Sequence, residues 1–436
     1  MNRLLIIILA ITVSLTAILT AAVEPQYTLT SADQTFLDDL ERCNYRYFEE
    51  AAHPQSGMIA DRHRTDNTDS FKASSVAATG FGLTAHAIAA SRGWISKDEA
   101  VARCRRILTF MRDKGQHEHG FFYQYLNMQS GRRDGLAPAS SIDQALFLAG
   151  ALTAAAAFPD TDIPGLAATL YDRTDWKWMC NRDDSICHGW TPEGKFLNGR
   201  WNSYSEMMIM LVLAIGSNTH PMEPYTWEAW GRHPIKEFKG EKYVNCPPLF
   251  VHQYSHAYFD FRKWHDGILD YWRNSQISTR AQIDYMKRLA VKYPEQLGHY
   301  SDDLWGITAS DGPHDYMDWG APYPDPRLLP WRGIDGTLVP SAPGGSLAIC
   351  PEPSLRTLRF QRERYGDKIY GRYGFANAYN PRTGWVSPYC LAIDTGITLL
   401  MAENLRSEFV WNTFMTHPVA KRAITRIQFK PVPTQP

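Results

Sequence analysis

Three acidic residues stand at comparable places along the chain, each at the entrance to an apolar run. Asp143 follows SSI and precedes QALFLAGAL, Glu206 follows SYS and precedes MMIMLVLAIG, and Asp394 opens DTGITLLMAEN. The placement has two readings. Carboxylates are favoured at helix starts by unpaired amides and the helix dipole, and Ser203 with Glu206 three residues on spells a capping box. Gathered in one cleft, the same acids would let one carboxyl protonate a leaving oxygen while an ionised partner activates water. That division of labour is what cleavage of a glycosidic bond requires. It carries a tension, because a helix N-terminus lowers a carboxyl pKa whereas a general acid needs it raised.

Aromatic residues crowd the segments between these runs: Trp176, Trp178 and Trp190, then Trp201 and Tyr204, then Trp305, Trp319, Trp331 and Trp385. Flat rings between carboxylates suit a neutral, polyhydroxylated ligand, although part of this set is expected simply to fill a large core. HQYSH (252–256) puts two imidazoles at i, i+4, and HEHG (117–120) adds two more. Without an HExxH pattern or paired cysteines no metal is expected, and His256, with Arg262 nearby, is read as binding hydroxyls. Neither a glycine-rich phosphate loop nor a GxSxG elbow is present, so no cofactor is expected.

The elements that must position these residues alternate in character. Segments rich in small and apolar residues begin at Ser74, Ser140 and Ser203, about 65 residues apart, with a looser one at Gly344 and another at Ala392. Between them lie one-sided helices such as 97–115, with Val101, Cys104, Ile107, Leu108 and Met111 on one face, and 278–293. Segments apolar all round belong inside and one-sided ones outside. Repeated over 31–425, the pattern predicts a single all-α domain, an (α/α)6 barrel whose inner helices start at one mouth, with an open solenoid as the structural rival. The Trp-, Pro- and Gly-rich stretch 315–345 is expected to rim that mouth.

The 436 residues carry a net charge of -1, and 13% are aromatic. There is no basic field for nucleic acid, and a neutral partner is expected. Residues 1–22, with Arg3 and a long apolar run, read as a signal peptide, with an uncleaved anchor as the alternative. The rest is expected to be a periplasmic or secreted monomer without stable membrane insertion. Seven cysteines leave at least one unpaired in an exported monomer, and Cys180 and Cys187 are spaced to close a small loop.

The runs SGMIADR, SSVAATGFGL, HGFFYQYLN, SSIDQALFLAGAL, YSEMMIMLVLAIGSNTHP, QYSHAYFDFR, LWGITASDGP, PSAPGGSL, YGFANAYN and AIDTG together resemble the bacterial glucoamylase-like domain family. That family includes glycoside hydrolase family 144, the endo-β-1,2-glucanases. The resemblance spans residues 36–418 and implies an (α/α)6 barrel that cleaves β-1,2-glucan (sophoro-oligosaccharide linkages) with inversion. It assigns Glu206 as general acid, Asp394 as general base acting through a substrate hydroxyl, and Asp143 as a third acid for binding or catalysis. Some relatives resemble this chain except for a further acid three residues before Asp143, where Ser140 stands here. Substrate contacts are expected from Arg62, Trp190, Trp201, Tyr204, His256, Arg262, Trp305, Trp319 and Trp385. The rival functions are a transglycosylase or cyclising enzyme on the same scaffold, a glycan-binding protein, and a polysaccharide lyase, for which no basic groove is evident.

Overall fold

The computed structural model describes residues 27–68, 72–193, 195–317, 320, 322 and 334–432. The proposed signal segment, Trp319 and Trp331 lie outside the described residues, as does much of the expected rim 315–345. The chain is largely helical. Its apolar segments form α2 (Val76–Ser91), α4 (Ser141–Ala157), α6 (Met208–Ile215), α7 (Tyr254–Tyr258), α9 (Ser341–Gly345) and α11 (Ala392–Ser407). Fourteen of the 16 residues of α2 are buried, which only a helix apolar all round can satisfy. One-sided helices cover them: α1 (Ser31–Glu50), α3 (Lys97–Asp113), α5 (Ile163–Asp172), α8 (Tyr271–Lys292), α10 (Pro351–Tyr365) and α13 (Pro418–Ile427). The five residues predicted for the inner face of α3 are all buried, and α8 begins seven residues earlier than its predicted start at 278.

α2 packs on α4, α4 on α6, α6 on α7, and α11 on both α2 and α9, while a 3-10 turn at Leu249–His252 touches α7, α8 and α9. The closest approach is backbone to backbone. A Cβ on Gly150 of α4 would stand 2.0 Å from the carbonyl oxygen of Gly80 in α2, so no other residue lets the two helices meet there. At the far end of α11, α12 (Phe409–Phe414) turns back against α4 and α7, burying Trp411 and Phe414.

Two sequence expectations fail here. The capping box at Ser203 and Glu206 does not form: α6 starts at Met208, and Ser203 instead bridges to Gly231. Ser255 of α7 caps α6 from outside, its Oγ donating to the Glu206 carbonyl (2.7 Å) and accepting from Ile209 N (3.0 Å). The apolar character of MMIMLVLAIG holds the helix by burial, so the turn before it is freed for other work. The all-α reading also omits short antiparallel ribbons at the inner helix starts. Ala73–Ser75 pairs with Tyr125–Asn127, Ala139–Ser140 with Gly189–Thr191, and Arg62–Arg64 with Tyr389–Leu391. No disulfide joins Cys180 to Cys187, and both are thiols. The Cys180 thiol is turned to the Trp176 carbonyl, 3.3 Å away.

Candidate active site

The ribbons bring side chains of distant segments to the entrances of α2, α4 and α11. Ser140 ends one strand and caps α4, and its Oγ accepts from Asp143 N (3.3 Å) and donates to Asp143 Oδ2 (2.5 Å). Ser140 thus holds Asp143 in place. The pairing of Arg62 with Leu391, together with Ala392 N donating to the Asp61 carbonyl (2.9 Å), lays Asp61 and Arg62 beside the start of α11. Asp394 is the third residue of that helix and accepts from Asn377 Nδ2 at its Oδ2. Asn377 is in turn oriented by Asp311 N, which donates to its Oδ1 (2.8 Å). Arg62 Nη1 pairs with Asp311 Oδ1 at 3.1 Å, and Arg62 Nε lies 3.6 Å from Asp61 Oδ2. Ser387 Oγ donates to the second Asp311 oxygen.

The electrostatics tie these groups into one cluster. Burial, followed by the charges of Asp394, Tyr316, Glu206 and Asp143, holds the Tyr254 phenol well above its ordinary pKa. The three acids singled out in the sequence therefore share the surroundings of one tyrosine. Burial, then Asp61 and Asp143, raises Tyr125; burial, then Asp394, Tyr125, Asp61 and Asp311, raises Tyr316. Asp394 is pushed up to about 7, mainly by burial, with Asp311 and Asp61 adding repulsion against the lowering effect of Ser341 and Asn377. Asp143 is pushed up to about 6 by burial, against the lowering hydrogen bond of Ser140. Loss of hydration outweighs the helix N-terminus at both positions.

Four of the expected substrate contacts share this end of the fold. Arg62 is in the cluster. Trp190 is paired with Ala139 at the α4 entrance, Trp201 Nε1 donates to Ser141 Oγ (2.8 Å), and Trp385 lies in the ribbon with Asn380, two residues from Ser387. All three indoles are half-buried. Four other expectations are corrected. Tyr204 is 1% exposed, with its hydroxyl on His252 Nδ1 (3.1 Å). His256 is fully buried against Ser275 Oγ (2.9 Å), and burial drops its pKa to about 3, so it is a neutral packing residue. Trp305 is fully buried, its indole donating to Pro353 O (3.3 Å). Arg262 pairs with Asp260 and with Glu408, the residue just past the end of α11, which places it roughly 20 Å along the helix from Asp394.

Asp61, Tyr125, Tyr254, Asp311, Tyr316 and Asn377 complete the cluster without having been singled out in the sequence. Five of them sit inside the runs SGMIADR, HGFFYQYLN, QYSHAYFDFR, LWGITASDGP and YGFANAYN. In HQYSH the two histidines drew notice, yet it is the tyrosine between them that faces the acids. Among the described residues no group of His, Cys, Asp and Glu is arranged to hold a metal ion.

The model of the Glycoamylase family, described as "Putative glucoamylase", matches residues 198–418. An exo β-1,2-glucooligosaccharide sophorohydrolase (non-reducing end) from Parabacteroides distasonis is 27% identical over 91% of this chain, which spans 58% of that relative's length. A solved structure from Bacteroides uniformis bearing the family's description is 26% identical, with a TM-score of 0.83 over 93% of this chain and 99% of its own. The crystal structure of a β-1,2-glucanase from Parabacteroides distasonis is 25% identical, with a TM-score of 0.82 over 92% of this chain and 60% of its own.

Proposed function

This chain belongs to the Glycoamylase family, and from that premise we propose that it is an exported glycoside hydrolase of β-1,2-glucan working by an inverting acid/base mechanism. The observation that carries the reading is that the charges of Asp394, Glu206 and Asp143 all act on one buried residue, Tyr254. The activities for which the Parabacteroides distasonis relatives are named support it.

In this mechanism Glu206, in the turn before α6, protonates the leaving glycosidic oxygen. Asp394 takes the proton of the attacking water through a substrate hydroxyl, and Asp143 binds the sugar. A pKa of about 7 fits Asp394 for this role, because a base ionised in part at neutral pH is far more basic than an exposed aspartate. Arg62, Trp190, Trp201 and Trp385 contact the glucan. The scaffold is a single (α/α)6 barrel over 31–425, supported by the circuit of contacts from α2 through α4, α6, α7, the 3-10 turn and α9 to α11 and back to α2. Residues 1–22 direct export to the periplasm or beyond, and the mature protein acts as a monomer. Among the described residues no helix is long and apolar enough to cross a membrane.

A second assignment makes Asp394 the general acid and Asp143 the general base, favoured by the fact that Asp394 holds its proton at neutral pH better than Asp143 does. Incubation with β-1,2-, β-1,3-, β-1,4- and α-linked glucans tests the substrate class, with products expected from the first alone and with inverted anomers. The variants Glu206→Gln and Asp394→Asn test the roles. An aryl glycoside with a good leaving group needs no general acid, so it restores turnover only to the variant lacking the acid. A folded Glu206→Gln protein at full rate on glucan would sink the reading.

A further inference from the structure

Between the start of α11 and the outer helix α1 lies a cavity of about 20 Å³, and Asp394 forms part of its wall. Such a space holds one water molecule and little else. Two further wall residues bring polar atoms to it from different elements. Asn44 on α1 is 3% exposed and Ser341 at the start of α9 is 6% exposed. Asn44 Nδ2 and Ser341 Oγ are both buried without a hydrogen-bond partner. Buried polar groups in folded proteins are nearly always satisfied, and leaving one unmade costs ~1–3 kcal/mol.

Gly374, with φ +86°, lies against Asn44 so closely that a Cβ there would stand 2.6 Å from Asn44 Oδ1. The Asn44 amide oxygen is thereby packed against Gly374, while Asn44 lines the cavity and its Nδ2 lacks a partner. A hydrogen bond from the Ser341 hydroxyl lowers the Asp394 pKa, but the contact is too poorly formed to satisfy Ser341 Oγ, which lacks a partner of good geometry. Asp394 Oδ2 already accepts from Asn377. Three polar groups facing a space of one water's size supply the two to four partners that a structural water needs.

We infer that this cavity is a binding site for a single water molecule that accepts from Asn44 Nδ2 and bridges Ser341 Oγ to the Asp394 carboxylate. The inference rests on the reading of Asp394 as the general base. Asn44 and Ser341 are then positioning residues: they act on the reaction through the water, and Asn44 does so from the outer layer of helices. The bridge donates a hydrogen bond to the ionised form of Asp394. It therefore opposes the groups that face Asp394 from its other neighbours: Asp311 and Asp61, the phenols of Tyr254 and Tyr316, and the thiol of Cys390. Arg62, paired with both aspartates, moderates their repulsion.

The variants Asn44→Leu and Ser341→Ala remove one water partner each, and Ser341→Ala deletes a single atom and leaves the fold intact even if Asn44→Leu does not. On β-1,2-glucan the acid limb of the kcat profile is expected to move up by about one pH unit, the size of one hydrogen bond to an ionised group. KM should stay within about twofold, because no group touching substrate has changed. The double variant should move the limb by less than the sum of the two single shifts, because both residues act through the same water. An unmoved limb in the folded single variants, or additive shifts in the double one, would overturn the inference. A high-resolution crystal structure gives a readout that needs no substrate: density is expected between the three groups, and a dry cavity overturns the proposal. If Asp394→Asn keeps its activity, the reading of the base has failed, and the crystallographic result still decides the water.

Discussion

Replacing Asp394 by asparagine should abolish hydrolysis and, above neutral pH, make the protein more stable. The two effects share one cause. In the folded chain the Asp394 carboxyl is raised from 3.8 to about 7, chiefly because burial strips its hydration. In the unfolded chain it ionises as an ordinary aspartate. Between those two values the folded protein holds a proton that the unfolded protein has lost, so stability must fall as pH rises through this window. At 1.36 kcal/mol per pH unit the full penalty above pH 7 is ~4 kcal/mol, and relaxation with water entry brings the expectation to ~2–4 kcal/mol. Asparagine has the same shape, can still accept from Asn377, and carries no charge. Urea unfolding of wild type and Asp394→Asn at pH 4, 6 and 8 reads this directly. The variant should match wild type near pH 4 and gain steadily toward pH 8. A stability difference that is the same at every pH would refute the reasoning, because it would show that the carboxylate is as well solvated in the fold as outside it.

Other perturbations test the remaining links. Gly150→Ala drives a methyl group into the Gly80 carbonyl at 2.0 Å, and the rigid backbone there should make it cost ~3 kcal/mol or more in urea unfolding. A loss below ~1 kcal/mol would mean that α2 and α4 part freely. Arg62→Met removes the cation between Asp61 and Asp311 and leaves two carboxylates facing Asp394. The acid limb of the kcat profile should move to higher pH, and an unmoved limb would separate this arginine from the electrostatics of the base. Thiol titration of the unfolded, unreduced protein should count all seven cysteines. A lower count would reveal a disulfide, with Cys180 and Cys187 the first pair to examine.

Repetition and polarity carry far in this sequence. A 16-residue stretch such as VAATGFGLTAHAIAAS has no polar face, so it can lie only inside, and KDEAVARCRRILTFMRD, with one apolar stripe, only outside. Spacing placed the entrances of α2 and α4 correctly, because Ser75 and Ser140 satisfy the first free amides of their helices. The same local logic misread Ser203 and Glu206: the cap of α6 comes from Ser255, about 50 residues away, and local chemistry cannot reveal a partner supplied by the fold.

The division is sharpest at the site. Asp143, Glu206 and Asp394 were legible because each stands at the same place, the entrance to an apolar run. Asp61, Asp311 and Asn377 sit in mixed loop sequence, where polar residues are ordinary, and only ribbon pairing brings them to Asp394. His256, Arg262, Trp305 and Tyr204 show the reverse. Their residue types suit sugar binding, but burial and pairing commit them elsewhere, and burial is a property of the packed chain. The sequence by itself determined the layering of helices and the acids at their entrances, since both follow from local polarity. Which carboxyl keeps a proton, and which polar and aromatic side chains are committed to the core, was decided by tertiary structure, because desolvation and charge–charge distance exist only once remote segments meet.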